Sequence, residues 1–173
     1  MTELRTLTGP ATLAVADRLT ATYRAVFGAP PWHESAGQAE RFARLLADWA
    51  TQPGFVAVLG TAGDRITGFA LGVPTPAPFP EEPGYAPVRH LLGPAAESLC
   101  GWLEVAELAV LPSARRAGLG RRLLSTLVGD RPAWLLTVPG VAGTTEFYDA
   151  VGWRRHATGY GITVYTNRPL PTS

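Results

Sequence analysis

Apolar residues along this chain follow two periods, and the switches between them mark its elements. Residues 3 to 8 alternate and predict a first strand, which Gly9-Pro10 breaks. From Ala11 to Phe27 the apolar positions Leu13, Ala16, Leu19, Tyr23, Val26 and Phe27 recur at the helical period, and Gly28-Ala29-Pro30-Pro31 ends that helix. Ser35 and Gln38 stand at capping-box spacing before a second helix whose stripe is Phe42, Leu45, Leu46 and Trp49. Gly54–Gly60 and Arg65–Val73 are β-rich runs joined through Thr61-Ala62-Gly63-Asp64, a hairpin pattern. Gly68 and Gly72 in the second run signal a bulge or a close backbone approach.

The pattern fails between Pro74 and Pro94, where Pro and Gly recur throughout. So long an irregular stretch inside one domain is usually functional or disordered. Phe79, Tyr85, His90, Leu91 and Leu92 give it apolar area enough to fold over a pocket as a lid, the other reading being a mobile surface loop. Regular pattern then returns. Leu103, Val105, Leu108 and Val110 mark a strand, Leu119, Leu123, Leu124, Leu127 and Val128 a helix, and Ala133–Val138 a continuous apolar strand expected at a sheet centre. Thr144 or Thr145 caps a short helix with Phe147, Ala150 and Val151 inward, Gly152 ends it, and Gly159–Asn167 alternates as the last strand. The order β-α-α-β-β-β-α-β-α-β, with no internal repeat, predicts one α/β (α+β) domain over residues 1–173. Its central sheet is expected to be mixed, with helices on both faces.

Composition narrows the function classes. A 173-residue chain that is 46% hydrophobic can bury a full core. Net charge is +1, so no field favours nucleic acid or an anionic membrane. The 15 basic residues are all Arg, and no apolar run reaches the ~20 residues of a membrane span. The N-terminus lacks the basic and apolar regions of a signal peptide, and the single cysteine, Cys100, excludes an internal disulfide. A soluble cytoplasmic protein is expected, with the oligomeric state, including a homodimer, left open. His33, His90 and His156 are scattered without partners at ligand spacing, so no metal site is expected. Cys100 reads as a buried structural thiol, and no serine has a nucleophile-elbow context.

The chemistry concentrates between Glu104 and Val128. A strand stops at Leu111-Pro112-Ser113, and Arg115-Arg116-Ala117-Gly118-Leu119-Gly120 then opens a helix. Helix N-terminal N–H groups, glycines that admit close approach and two adjacent arginines make an anion site suited to phosphate. It is neither a P-loop, since the chain has no Lys, nor a dinucleotide fingerprint, since the first glycine of that pattern is missing.

Arg-x-x-Gly-x-Gly after a strand ending Leu-Ala-Val resembles the acyl-CoA pyrophosphate loop of the GNAT (Gcn5-related N-acetyltransferase) family. Phe147-Tyr148-Asp149-Ala150-Val151-Gly152-Trp153 resembles its second signature, although the Asn often found ahead of that helix is replaced by Val141-Ala142-Gly143-Thr144. The resemblance implies the GNAT fold, a mixed and mostly antiparallel sheet, and an acyltransferase using acetyl-CoA. The cofactor residues it implies are Leu108, Ala109, Val110, Arg115, Arg116, Ala117, Gly118, Leu119, Gly120 and Arg121. The pantetheine arm would pair beside Leu108-Ala109-Val110, with a backbone N–H there serving the oxyanion.

The resemblance also places the general acid on Tyr148, since a phenol of ordinary pKa about 10 matches a thiol leaving group. The other reading of Tyr148 is a half-buried helix aromatic. For the base, Glu104 and Glu107 stand in an otherwise apolar strand, where a carboxylate is costly without a purpose. Glu104 has the spacing to Gly118 of the catalytic Glu in the histone-acetylating branch, and Glu107 directly precedes Leu-Ala-Val. Deprotonation through water remains open, as does a plain salt bridge from either carboxylate to Arg65, Arg89 or Arg154. In the family the connection between the first two helices overhangs the acceptor, which makes Trp32, His33 and Glu34 candidate substrate contacts. Trp32 otherwise only covers the core. The expected acceptor is a primary amine on a small molecule. The rivals are an amine of a protein or peptide, or an acyl-CoA-binding module without turnover.

Overall fold

The computed structural model describes residues 1–172. Its strands are β1 (Glu3–Leu7), β2 (Val56–Ala62), β3 (Arg65–Pro74), β4 (Leu103–Val110), β5 (Ala133–Thr137), β6 (Arg154–Gly159) and β7 (Ile162–Thr166). The helices are α1 (Gly9–Leu13), α2 (Ala16–Phe27), α3 (Ala36–Ala50), α4 (Ala86–Leu92), α5 (Leu119–Val128) and α6 (Thr144–Ala150). Strand neighbours follow the order β1-β2-β3-β4-β5-β7-β6, a seven-stranded mixed sheet. The pairs β1–β2, β2–β3, β5–β7 and β6–β7 are antiparallel and β4–β5 is parallel. This is the expected mixed, mostly antiparallel sheet. The chain packs as two compact units, Met1–Val73 with Val105–Gly129, and Pro74–Glu104 with the chain from Asp130 onward.

In the first unit, α2 and α3 present their apolar stripes to β2 and β3. Tyr23 stacks on Phe42 with ring centroids 4.3 Å apart, and Phe42 meets Phe69 at 5.7 Å. Leu19, Leu46, Phe69 and Leu71 are fully buried there. The expected close approach at Gly68 is real: a Cβ there would lie 2.8 Å from the Ala109 carbonyl oxygen and 3.1 Å from Leu123. The ladder also shifts register at Gly60, where a Cβ would meet Leu119 at 3.0 Å. Two strand glycines thus let α5 and β4 pack tightly on this unit.

In the second unit, Phe79, Val88, Ala96, Leu99, Trp134, Ile162 and Val164 form the core. The Trp134 indole N–H donates to Thr75 Oγ1 at 2.8 Å, which satisfies two buried polar groups at once. β4 enters its parallel ladder through Leu103↔Ala133 and Glu104↔Trp134.

Several expectations need correction. The first helix is two, because the chain turns at Ala14-Val15 between α1 and α2. Among the described residues there are seven strands rather than six: β6, reading RRHATG, is exposed over its first half and so lacks the apolar run that would announce it. Neither the Ser35 hydroxyl nor Thr144 caps a helix. Ser35 is the N-cap of α3 without a side-chain bond, and Gly143 takes that place for α6. Residues 74–94 are not a loose surface loop. They fold as a 3₁₀ turn (Pro83–Tyr85) and α4, with a second 3₁₀ run (Gly93–Leu99) following, and they bury Phe79 and Val88 as core. Prolines at helix first turns fit this, since the N–H they lack has no acceptor there.

Candidate active site

The Arg115–Gly118 turn leads directly into α5. Gly118 is the N-cap of α5 in the left-handed region (φ 74°), and Arg116 is left-handed as well (φ 65°). No side chain caps α5, so its first-turn N–H groups face the exposed Arg115–Gly118 loop without an internal anion. A Cβ at Gly118 would touch nothing, so glycine is needed there for its backbone angle, and the space beside the helix end stays open. Arg115 bends back, its Nε donating to the Val110 carbonyl at 3.2 Å. Leu119 anchors the loop, buried against the first unit. These residues suit a pyrophosphate: open N–H groups at a helix dipole, cationic side chains, and no acidic residue in the first turn.

Glu107 lies in the same unit, with its carboxyl enclosed though the residue keeps some accessible surface. Burial pushes it up to about 8, the nearby Glu34 charge adds to the rise, and a bond from the Leu108 N–H opposes it. Glu34 comes from the α2–α3 connection and is tied to α2 by the Tyr23 hydroxyl, which donates to Oε2 at 2.6 Å. Burial, then the Glu34 bond and the charge of Glu107, hold the Tyr23 phenol above its ordinary range, so it stays a donor. The connection therefore places Glu34 beside Glu107 electrostatically.

Its two other predicted residues differ. Trp32 packs edge-on against Phe27 at 5.2 Å and covers the core, as the plainer reading held. His33 is exposed in a left-handed conformation (φ 50°), its N–H bonded to the Ala29 carbonyl.

In the second unit, Glu104 accepts a hydrogen bond at Oε2 from the Tyr85 hydroxyl, 2.7 Å away. Burial raises its pKa to about 7, against which the Tyr85 bond acts. The salt-bridge reading of the two glutamates finds no support: among the described residues neither carboxylate has an ion pair, and Arg89 donates instead to the Pro80 carbonyl at 2.9 Å. Tyr148 sits on α6, buried rather than half-buried, with its ring 5.1 Å from Phe147 and 5.2 Å from Tyr165. Its neighbour Asp149 is paired with Arg155 at 2.5 Å, which holds that carboxyl below its usual range. Tyr23 and Tyr85 are the members that sequence reading missed, since both read as apolar area. The signal was there in principle, because a buried phenol must place its O–H on some acceptor.

Among the described residues no group of His, Cys, Asp and Glu side chains could hold a metal ion. Nor, among them, is any helix long and apolar enough to cross a membrane.

The profile of the acetyltransferase (GNAT) family matches residues 16–153, and the chain belongs to this family. It is an N-acetyltransferase domain of the kind that uses acetyl-CoA. No curated protein matches the sequence. Among solved structures it is similar to a GNAT-family acetyltransferase from Desulfovibrio desulfuricans (TM-score 0.62, 21% identity, 96% of this chain and 98% of that one). It is also similar to the PaiA N-acetyltransferase from Thermoplasma acidophilum in complex with coenzyme A (TM-score 0.66, 13% identity, 98% and 99%). A third is the ribosomal-protein-S18-alanine N-acetyltransferase from Escherichia coli (TM-score 0.61, 15% identity, 100% and 96%). At these identities the likeness is one of fold alone.

Proposed function

We propose that the chain, as one functional domain, transfers acetyl from acetyl-CoA to the primary amine of a small cationic molecule by direct attack. The observation that carries this reading is Glu34, bonded to Tyr23 and placed beside Glu107. A Glu107 carboxyl raised by burial and by the Glu34 charge gains most from a compact positive charge, and an acceptor ammonium supplies one. Glu34 and Glu107 then receive the acceptor, with the exposed His33 flanking it.

Glu104 serves as the base, since a carboxyl of pKa about 7 holds and releases a proton near neutral pH. The ammonium gives its proton to Glu104, and the freed lone pair attacks the thioester carbon. Backbone N–H in the Leu108–Val110 run stabilises the oxyanion. The C–S bond breaks as Tyr148 donates its phenolic proton to sulfur and regains through solvent the second proton that the nitrogen sheds on becoming an amide, while the loop from Arg115 to Arg121 retains the pyrophosphate. A lone cysteine suits a reducing, cytoplasmic setting.

The test is thiol release from acetyl-CoA with 1,4-diaminobutane, compared with a peptide bearing an N-terminal alanine. The diamine should turn over faster, and Glu34→Gln should raise its KM about 10-fold without changing the KM for acetyl-CoA. Tyr148→Phe should lower kcat about 100-fold. Preference for the peptide would refute the small-molecule reading. Coenzyme A binding without thiol release from either probe would refute turnover itself.

A further inference from the structure

Tyr85 lies outside the two signature stretches, Glu104–Val128 and Phe147–Trp153, yet the fold spends several contacts on holding its hydroxyl at one place. Its ring sits edge-on to Phe79 at 5.7 Å and tilted to Trp134 at 6.4 Å. Each of those rings is itself fixed. The Phe79 backbone N–H is bonded to both oxygens of Glu97 at 3.2 Å, and the Trp134 indole is bonded to Thr75. Trp134 is also the ladder partner of Glu104, so the strand pair and the aromatic group meet at this carboxylate. The Tyr85 hydroxyl is directed at Glu104 Oε2, 2.7 Å away.

We propose that Tyr85 is a positioning residue of acetyl transfer, its O–H occupying Glu104 Oε2 so that the titrating proton is confined to Oε1. This rests on the reading of Glu104 as the base. The chemistry follows from donor and acceptor capacity. Burial and the neighbouring Glu104 and Glu82 charges hold the phenol above its ordinary range, so it donates throughout the working pH span. Oε2 is therefore an acceptor whether Glu104 is charged or neutral. A proton leaving the acceptor ammonium arrives on Oε1 and departs from there to solvent, the N–H bond breaking as the O–H bond forms. The other charged groups nearby do not reach this oxygen: Arg89 of α4 is engaged by the Pro80 carbonyl, and Glu97 by the Phe79 N–H.

A bond donated to the charged carboxylate lowers its pKa, so removing it must raise the value further above about 7. In Tyr85→Phe the ring packing survives and only the hydroxyl is lost. We expect the Glu104 side-chain carbon, followed by ¹³C NMR in the glutamate-labelled full chain, to titrate about one pH unit higher. The acid limb of kcat/KM for 1,4-diaminobutane should move by the same amount. Glu104→Gln should abolish the limb, and the double variant should be no slower than Glu104→Gln alone.

If Glu104→Gln removes the limb but Tyr85→Phe leaves limb and titration unmoved, Tyr85 does not position the base and the base reading stands. A limb that survives Glu104→Gln defeats the base reading and this inference with it. Should Tyr85→Phe fold poorly, the wild type and Glu104→Gln still decide the contact: the Tyr85 ring carbon bearing the hydroxyl, followed by ¹³C NMR in the tyrosine-labelled full chain, should shift as pH passes about 7 in the wild type and hold constant in Glu104→Gln. A Tyr85 signal that does not follow the Glu104 titration in the wild type overturns the proposal.

Discussion

Replacing Glu107 by glutamine removes an ionisable group while keeping the side chain's shape and its acceptor oxygen for the Leu108 N–H. In the folded chain this carboxyl titrates at about 8 against 4.5 for the free group, chiefly through burial and secondarily through Glu34. The sign follows from proton binding. Between pH 4.5 and 8 the native state holds the proton more tightly than the unfolded chain, so stability is greatest below 4.5 and falls as pH rises through about 8. A shift of about 3.5 units at roughly 1.4 kcal/mol each sets a ceiling of about 5 kcal/mol. Because the residue keeps some accessible surface, solvent screening reduces this to about 2–4 kcal/mol. For a chain of this size that is a rise in Tm of about 5–15 °C in Glu107→Gln at pH 9, with little change at pH 4.5. Thermal melts of both proteins across that range are the assay. In Glu34→Gln, which lacks the neighbouring charge, the fall should be smaller and should end at lower pH than in the wild type. Parallel stability curves for wild type and Glu107→Gln from pH 4.5 to 9 would refute the argument that this carboxyl is ionised at the expense of the fold.

Three glycine substitutions separate packing from backbone angle. A Cβ at Gly9 would lie 1.9 Å from the Ala50 carbonyl oxygen, so Gly9→Ala must push α1 off the end of α3 and should cost about 3 kcal/mol or more in urea unfolding. Gly68→Ala meets the Ala109 carbonyl oxygen at 2.8 Å and should cost about 1–3 kcal/mol by the same measurement. Gly118→Ala finds open space but an unfavourable angle (φ 74°), so it should cost only about 1–2 kcal/mol. Its larger effect should fall on the KM for acetyl-CoA in initial-rate kinetics, with the amine KM unchanged.

What could be read from the sequence was what depends on short-range periodicity. The α5 stripe from Leu119 to Val128, the β2–β3 hairpin and the glycine turn at Gly118 all declare themselves within a few residues, and these elements stand where expected. What could not be read depends on long-range partners. β6 exists because Arg154–Gly159 finds β7, not because its residues favour a strand. Residues 74–94 look irregular because proline and glycine dominate them, yet Val88 and Phe79 become core once Trp134 and Val164 are there to receive them. The same holds at the site. Glu104 and Glu107 were suspect from their apolar surroundings alone, whereas Tyr85 stands 19 residues from the carboxylate it serves and Tyr23 stands 11 from its own.

Those two tyrosines show how a strand can carry two costly carboxylates. Burial raises Glu104 and Glu107 to about 7 and about 8, so at neutral pH each is held near the point where its charge is most easily exchanged. An arginine partner would have lowered both and made them permanent anions, useless for taking up a proton. A neutral phenol does something different. It fixes one carboxylate oxygen by a short bond and lowers the pKa only modestly, leaving the second oxygen to titrate. Tyr85 does this to Glu104, while Tyr23 bonds Glu34, whose charge helps raise Glu107. The price is stability at alkaline pH, and sequence drift toward glutamine at either position would recover it. On the mechanism we propose, Glu104, with one oxygen held by a buried hydroxyl in place of a guanidinium, keeps the other free to take up the proton.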